Sequence, residues 1–182
     1  MADAQFDPSG FFKFDMARGS VRSKGGGRLL LLAEDVLAPL IVTAVNNGDL
    51  TAVRAMGSQL GMMVAQSLPG TAANLPPAVV MGHAANVVSL FGWGRLKLER
   101  WGDALVIEVD GLPPLDEDNL AVAALLGGLF STLCKVEVAC VPLAQSTKYL
   151  VVDPSIAEQI WAWSKGGESL STIAGRLGRG EA

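Results

Sequence analysis

Two neighbouring stretches of the chain alternate between hydrophobic and charged residues, which is the pattern of β-strands with one buried face. The first runs from residue 95 to 101, the second from 104 to 110, and Gly102 lies in the short turn between them. This arrangement predicts a β-hairpin. A second pair of strands is predicted at 136–141 and 149–152, where two short apolar runs follow each other.

Apolar residues at helical spacing predict three helices before this hairpin, at about 35–46, 49–67 and 78–91. A fourth helix is predicted at 116–133, between the two strand pairs. It is apolar nearly all round, which is typical of a helix buried at the centre of a fold. The glycine pair 127–128 within it lowers helix propensity by roughly 1 kcal/mol per glycine. Such a pair indicates close backbone packing, most simply against the sheet.

Shorter elements flank this pattern. Two strands are predicted near the N-terminus, at 11–15 and 20–23, and the capping box of Ser155 and Glu158 predicts a C-terminal helix. Because helices separate antiparallel strand pairs, the predicted class is α+β, with an antiparallel four-stranded sheet of two hairpins covered by helices. The predicted organisation is a disordered N-terminus at 1–10, a single domain at 11–165, and a short helix and tail at 166–182.

The composition suggests that some apolar surface is covered. Hydrophobic residues make up 50% of the chain, charged residues only 18%, and the mean hydropathy is +0.37. So apolar a chain either has a large core or buries apolar surface against a partner or a ligand. The net charge is −4 and no run of basic residues is longer than two, which argues against a nucleic-acid partner.

The sequence also bears on location. It has no window of roughly 18 uninterrupted apolar residues, so no membrane span is predicted. The first five residues, MADAQ, lack the charged and then apolar layout of a signal peptide. Two cysteines without such a signal are expected to be reduced thiols, which predicts a cytoplasmic protein.

Three groups of motifs occur in an order that matches a known family. They are FKFD at 12–15 with Gly19 and GRLLLL at 27–32, FGWGR at 91–95, and GGLF at 127–130 with EVAC at 137–140. Over about residues 11–153, this order resembles the four-vinyl-reductase (4VR) domain family, which shares its fold with core subunits of the TRAPP tethering complex. The resemblance implies a bacterial, TRAPP/4VR-like single domain that binds a ligand and forms a homodimer.

Some members of that family bind zinc, and the resemblance therefore implies a position for a metal. The family's ligands are a Glu-x-x-Cys pair, a second cysteine eight residues later, and a cysteine in the preceding helix. Glu137 and Cys140 match the first pair, but Lys148 replaces the second cysteine and the helix offers none. No metal is therefore expected. Lys148 is predicted instead to pair with Glu137, and Cys134 and Cys140 are interpreted as small buried hydrophobes.

The first functional hypothesis is a ligand-binding or regulatory domain. The second, third and fourth predicted helices would enclose an apolar pocket over the sheet, with the only histidine as its polar anchor. The alternative for this histidine is a partly buried helix residue with one satisfied nitrogen. The candidate pocket residues are His83, Trp93, Phe91, Met62, Met63, Met81 and Phe130.

A second hypothesis is an interaction module: a homodimer, or a TRAPP-like subunit of a larger assembly that binds no small ligand. The first and second helices, with small residues at Gly57 and Gly61, would form its interface. A third reading, an accessory protein in tetrapyrrole vinyl reduction, follows from the family name alone. The sequence shows no dinucleotide, flavin or iron–sulfur motif, so we expect no cofactor and no enzymatic activity. The protein would act through an unidentified protein partner.

Overall fold

The computed structural model describes residues 8–102, 104–143 and 146–179. The strands are β1 (Phe12–Asp15), β2 (Ser20–Ser23), β3 (Arg28–Leu29), β4 (Arg95–Trp101), β5 (Ala104–Asp110), β6 (Ala139–Pro142) and β7 (Lys148–Val152). The helices are α1 (Glu34–Asn46), α2 (Thr51–Ser67), α3 (Pro77–Leu90), α4 (Leu120–Cys134), α5 (Ala157–Lys165) and α6 (Leu170–Gly178). No helix in this described part of the chain has both the length and the apolar character needed to cross a bilayer.

The larger sheet has four antiparallel strands in the order β4-β5-β7-β6. This confirms the predicted α+β class with a four-stranded antiparallel sheet. Side chains along each strand point alternately to the two faces of the sheet, and both faces are buried. Ile107 and Tyr149, which are direct partners in register, lie in the core shared with α2, α3 and α4. Val106 and Leu150, one residue away on each strand, lie in a second core under α5 and α6.

Helix α4 is the central helix, as its sequence predicts, and it packs tightly against α2. A Cβ atom at Gly57 would overlap the backbone oxygen of Leu125, and one at Gly128 would overlap the backbone oxygen of Arg54. At Gly61 a Cβ would lie 2.8 Å from the oxygen of Leu129. The two helices therefore approach each other backbone to backbone, which only glycine permits.

This packing corrects two expectations. The glycine pair of α4 was predicted to pack against the sheet, but it packs against α2. Gly57 and Gly61 are buried inside the chain, so their assignment to a dimer interface between copies is wrong. Small residues at helical spacing indicate a close helix contact, but they do not tell whether that contact lies within a chain or between chains.

The first three strands form a separate antiparallel sheet, β1-β2-β3. It is attached to the rest of the fold by aromatic rings, since the Phe91 ring lies 6.2 Å from that of Phe11 and 5.6 Å from that of Phe12. Strand β3 and the apolar residues after it precede α1, which begins at Glu34. On α1, Ile41 is buried, whereas three large apolar side chains are exposed: Val36, Leu40 and Val42.

Capping groups explain why two helices, α4 and α5, begin later in the chain than the sequence predicts. The carboxylate of Asp116 accepts hydrogen bonds from the backbone N–H of Leu120 at 2.7 Å and of Ala121 at 3.0 Å, so α4 begins four residues after it. The predicted capping box at Ser155 does not form. Instead Asp153 accepts from the Ser155 N–H at 2.9 Å, and α5 begins at residue 157.

Candidate functional site

Two of the predicted pocket residues, Phe91 and Trp93, line one cavity of about 220 Å³. It lies between the start of α1, the turn from α3 to β4, and the loop before α4. An enclosed apolar cavity of about 150 Å³ admits a benzene ring. The space at Phe91 and Trp93 is larger but open on the side of Leu32 and Glu34, which are exposed, and it has room for one small aromatic molecule. The lining residues are Leu32, Glu34, Leu37, Phe91, Gly92, Trp93, Pro113 and Leu115.

The turn after α3 explains why these aromatic residues face the cavity. Gly92 and Gly94 both have positive φ, at 78° and 88°, a conformation that side chains disfavour. The hydroxyl of Ser89 donates to the backbone oxygen of Gly94 at 2.9 Å and fixes the turn. Between the two glycines the Trp93 side chain folds inward and is buried. The FGWGR motif is therefore the structural basis of the cavity wall.

The other predicted pocket residues lie elsewhere. His83 and Phe130 are buried, and Met63 and Met81 pack against the same core, while Met62 is exposed. His83 precedes Phe91 by eight residues on α3, which separates them by about 12 Å along the helix. The structure thus brings Phe91 and Trp93 together in one cavity and places the rest in or around the main core.

His83 is tied to the end of α2. The Ser67 hydroxyl uses its hydrogen to donate to the backbone oxygen of Val64 at 2.7 Å. The same hydroxyl lies 3.2 Å from Nδ1 of His83 and forms a hydrogen bond with it. The contact joins α3 to α2, which is the structural role that the alternative interpretation gave this histidine.

The predicted pair of Lys148 with Glu137 is wrong. Lys148 lies on the α5–α6 face of the sheet and pairs with Glu99 at 2.7 Å. This hydrogen bond and that of the Trp101 indole N–H hold the pKa of Glu99 below its usual value. Glu137 is close to the opposite face, where Cys140 is buried beside α4. Alternation along β6 and β7 keeps Lys148 and Cys140 on different faces.

Arg54 of α2 is the partner of Glu137. The same guanidinium donates to the Ser131 hydroxyl at 3.0 Å and to the backbone oxygen of Val138 at 3.1 Å. It therefore joins α2, α4 and the segment leading into β6 where the family resemblance placed a metal. The sequence interpretation missed this residue. The feature of the sequence that could have indicated this role is the position of Arg54 on a helix face of small residues, three residues before Gly57.

The two cysteines differ. Burial raises the pKa of the Cys140 thiol to about 12, so it is protonated at neutral pH. Cys134 is exposed, which contradicts its interpretation as a buried hydrophobe, and partial burial still raises its pKa. Within the described residues, no three His, Cys, Asp or Glu side chains are grouped so that they could hold a metal ion.

Larger openings lie on the other side of the sheet. Two cavities of about 650 Å³ each adjoin Trp101, one beside α6 and one beside the turn between α5 and α6. Positions 103, 144 and 145, which neighbour their walls in sequence, lie outside the described residues. A further cavity, of about 250 Å³, lies between α2, α4, β6 and α5, with Arg54 and Cys140 in its wall. The cavity at Phe91 and Trp93 is the one that contains predicted pocket residues.

Comparison with known proteins gives a fold but no family. No protein-family model matches the chain, and no curated protein matches it either. Among solved structures, the crystal structure of the phenol-responsive sensory domain of the transcription activator PoxR with phenol is similar, with a TM-score of 0.57. The match covers 84% of this chain and 90% of that chain at 11% sequence identity. The two chains therefore share a fold.

Proposed function

We propose that this chain is a small-molecule-binding regulatory domain of the 4VR type, with a TRAPP-like fold, that acts through partner proteins in the cytoplasm of a bacterium. Its ligand is a small aromatic molecule, and its site is the cavity at Phe91 and Trp93. That cavity, with a volume suited to one ring, is the observation that carries the proposal. The shared fold with a phenol-responsive sensory domain supports it.

The lining of the cavity favours binding over catalysis. Catalysis needs a nucleophile or an acid–base pair within hydrogen-bond reach of the substrate. Among the described lining residues Glu34 is the one titratable side chain, and the others are aliphatic, aromatic or glycine. Glu34 suits a polar substituent on the ring, because its carboxylate accepts a hydrogen bond from a hydroxyl or amine.

The test is a binding titration with phenol and indole as probes. Leu32 is exposed and lines the cavity, so Leu32→Trp fills the space from outside without disturbing the core. Leu31→Trp is the matched control, since Leu31 is also exposed but lies outside the lining. We expect the parent and L31W to bind a probe and L32W to lose at least tenfold in affinity. No binding by the parent, or equal binding by L32W, would refute the site.

A homodimer is part of the proposal, and it now rests on α1 alone. Val36 and Leu40, one helical turn apart on α1, expose an apolar face that a second copy could cover. The same face supports the alternative function, a TRAPP-like interaction subunit that binds no small ligand. Native mass spectrometry of the purified protein separates the two, because a sensor retains or binds a small aromatic molecule and an interaction subunit does not.

A further inference from the structure

The small N-terminal sheet carries a row of positive charge. Lys13 lies opposite Arg22 on β1 and β2, and Arg22 lies opposite Arg28 on β2 and β3. All three side chains are exposed. Like charges directly opposite each other destabilise an antiparallel pair, so the row opposes the stability of this sheet. A bound anion would remove that repulsion.

The charge of this region stands out against the rest of the chain. Five basic residues and one acid, Asp15, give residues 12–29 a net charge of +4 within a chain of −4, so the remainder carries −8. Asp15 pairs with Arg18 at 3.8 Å. Because one to four other residues separate neighbouring cations in sequence, only the strand register brings Lys13, Arg22 and Arg28 together. The basic residues are Lys13, Arg18, Arg22, Lys24 and Arg28.

One end of the same sheet exposes large apolar side chains. Met16, in the turn between β1 and β2, is 88% exposed, and Phe14 beside it is 62% exposed. Strand β3 runs antiparallel to β2, which carries the residues after it toward this same turn. There Leu30 and Leu31 are 80% and 68% exposed. The apolar side chains of both segments therefore collect at one end of the sheet.

The distance between the two features is set by strand geometry. Met16 lies three residues beyond Lys13, which corresponds to roughly 10 Å at the rise of a β-strand. Interfacial protein segments bury their apolar side chains by about 5–10 Å below the lipid head groups, while basic residues stay at the level of the phosphates. The apolar end and the basic row have this spacing.

We propose that this end of the N-terminal sheet binds the surface of an anionic lipid bilayer. The apolar side chains of Met16, Leu30 and Leu31 enter the interface, and the row behind them contacts the head-group phosphates. A single-stranded nucleic acid is less well matched, because it needs aromatic side chains interleaved with the cations. Phe12 and Phe14 flank Lys13 in sequence, but alternation along β1 places them on the opposite face of the sheet from the basic row. The inference is independent of the ligand site.

The experiment is sedimentation of the full chain with lipid vesicles. The vesicles consist of phosphatidylcholine alone or of phosphatidylcholine with phosphatidylserine, at low and at physiological salt. We expect binding to the serine-containing vesicles that weakens as salt rises. Each cation near the surface contributes about fivefold in affinity, so Lys13→Gln with Arg22→Gln should weaken binding about 30-fold.

Matched controls come from exposed residues elsewhere. Arg95→Gln with Arg100→Gln removes the same charge from β4, where both arginines are exposed, and should leave binding within about twofold. Met16→Ser with Leu30→Ser should abolish most binding, whereas Val136→Ser, at a position 61% exposed, should not. These positions are exposed, so the variants are expected to fold.

Several outcomes would overturn the proposal. The first is no binding of the parent to serine-containing vesicles at low salt, and the second is equal weakening by the β4 variant. If Met16→Ser with Leu30→Ser turns a dimer into a monomer while the parent ignores vesicles, the surface is an interface between copies. If the parent binds single-stranded DNA through the same cations and ignores vesicles, its partner is a nucleic acid.

Discussion

The two helices that the sequence groups together, α1 and α2, differ in how they use their apolar residues. Helix α2 packs its glycines against the backbone of α4, so its apolar face is inside the chain. Helix α1 buries Ile41 but leaves Val36, Leu40 and Val42 exposed. The comparison shows that close packing and apolar surface are separate signals. Small residues mark the internal contact, and large apolar residues mark the surface left for a partner.

The largest effect is expected where the glycines meet α4. In Gly57→Ala the added Cβ would overlap the backbone oxygen of Leu125, which cannot move without shifting α4. We expect a loss of about 3 kcal/mol or more in the free energy of unfolding, measured by urea denaturation. The matched control is Gly82→Ala on α3, where the Cβ meets nothing within 4 Å.

That control should change stability in the other direction. Alanine favours a helix interior over glycine by roughly 1 kcal/mol, so G82A is expected to be as stable as the parent or more stable. Equal destabilisation by both variants would mean that α2 and α4 do not approach as closely as their glycines allow.

A smaller loss in the free energy of unfolding is expected for Arg54→Ala, which removes the side chain that joins α2 to Ser131 and Val138. Loss of these charge-assisted hydrogen bonds should lower the free energy of unfolding by about 2 kcal/mol. Glu137→Gln should lower it by less than about 0.5 kcal/mol, because Glu137 is mostly exposed. If both variants lose the same amount, the ion pair rather than the hydrogen bonds to α4 and Val138 stabilises the contact.

The two thiols, one buried and one exposed, should differ in how they affect the free energy of unfolding at alkaline pH. The pKa of Cys140 rises from 9.0 to about 12 on folding, because burial disfavours the thiolate. Above pH 9 the unfolded chain loses this proton and the folded chain keeps it. Stability is therefore complete below pH 9 and falls by up to about 1.4 kcal/mol per pH unit between pH 9 and 12.

Substitution of each cysteine separates their contributions. Cys140→Ala should flatten the decline of stability between pH 9 and 10.5, measured by urea unfolding at each pH. Cys134→Ala should change that decline less, because Cys134 is exposed. A decline that is unchanged in C140A would assign the alkaline sensitivity to other groups, of which buried Tyr149 is one, since burial raises its pKa as well.

The smallest change in stability is expected on α1. Leu40→Glu places a charge at an exposed position, so the unfolding free energy of the monomer should change by less than about 0.5 kcal/mol. The same variant should convert a dimer into a monomer in light scattering if α1 is the interface. Met62→Glu on α2, also at an exposed position, is the control that should keep the dimer. A monomeric parent would contradict the proposed homodimer.

The sequence predicted elements well where one residue pattern determines them. Alternation at 95–101 and 104–110 predicted β4 and β5, and the nearly uniform apolar character of 116–133 predicted the central position of α4. These patterns report burial, which is a local property of each residue. The pairing of β5 with β7 is a contact between distant segments, and no pattern within either strand encodes it.

The candidate site was predicted only in part, for a related reason. Phe91 and Trp93 are close in sequence and the glycines around them fix their turn, so their shared cavity follows from a local motif. His83 and Phe130 depend on how whole helices are placed. Arg54 and the cations of the N-terminal sheet were missed because their neighbours come from other segments, and only the fold brings them together.

The strand order of the large sheet restricts how the protein can aggregate. Strands β4 and β6 form its two edges. On β6, Pro142 lacks an N–H group to offer an incoming strand. On β4, four charged side chains, Arg95, Lys97, Glu99 and Arg100, leave the edge with a net positive charge, which opposes pairing with a second copy of itself. Growth of fibrils by adding strands to this sheet is therefore disfavoured on both sides.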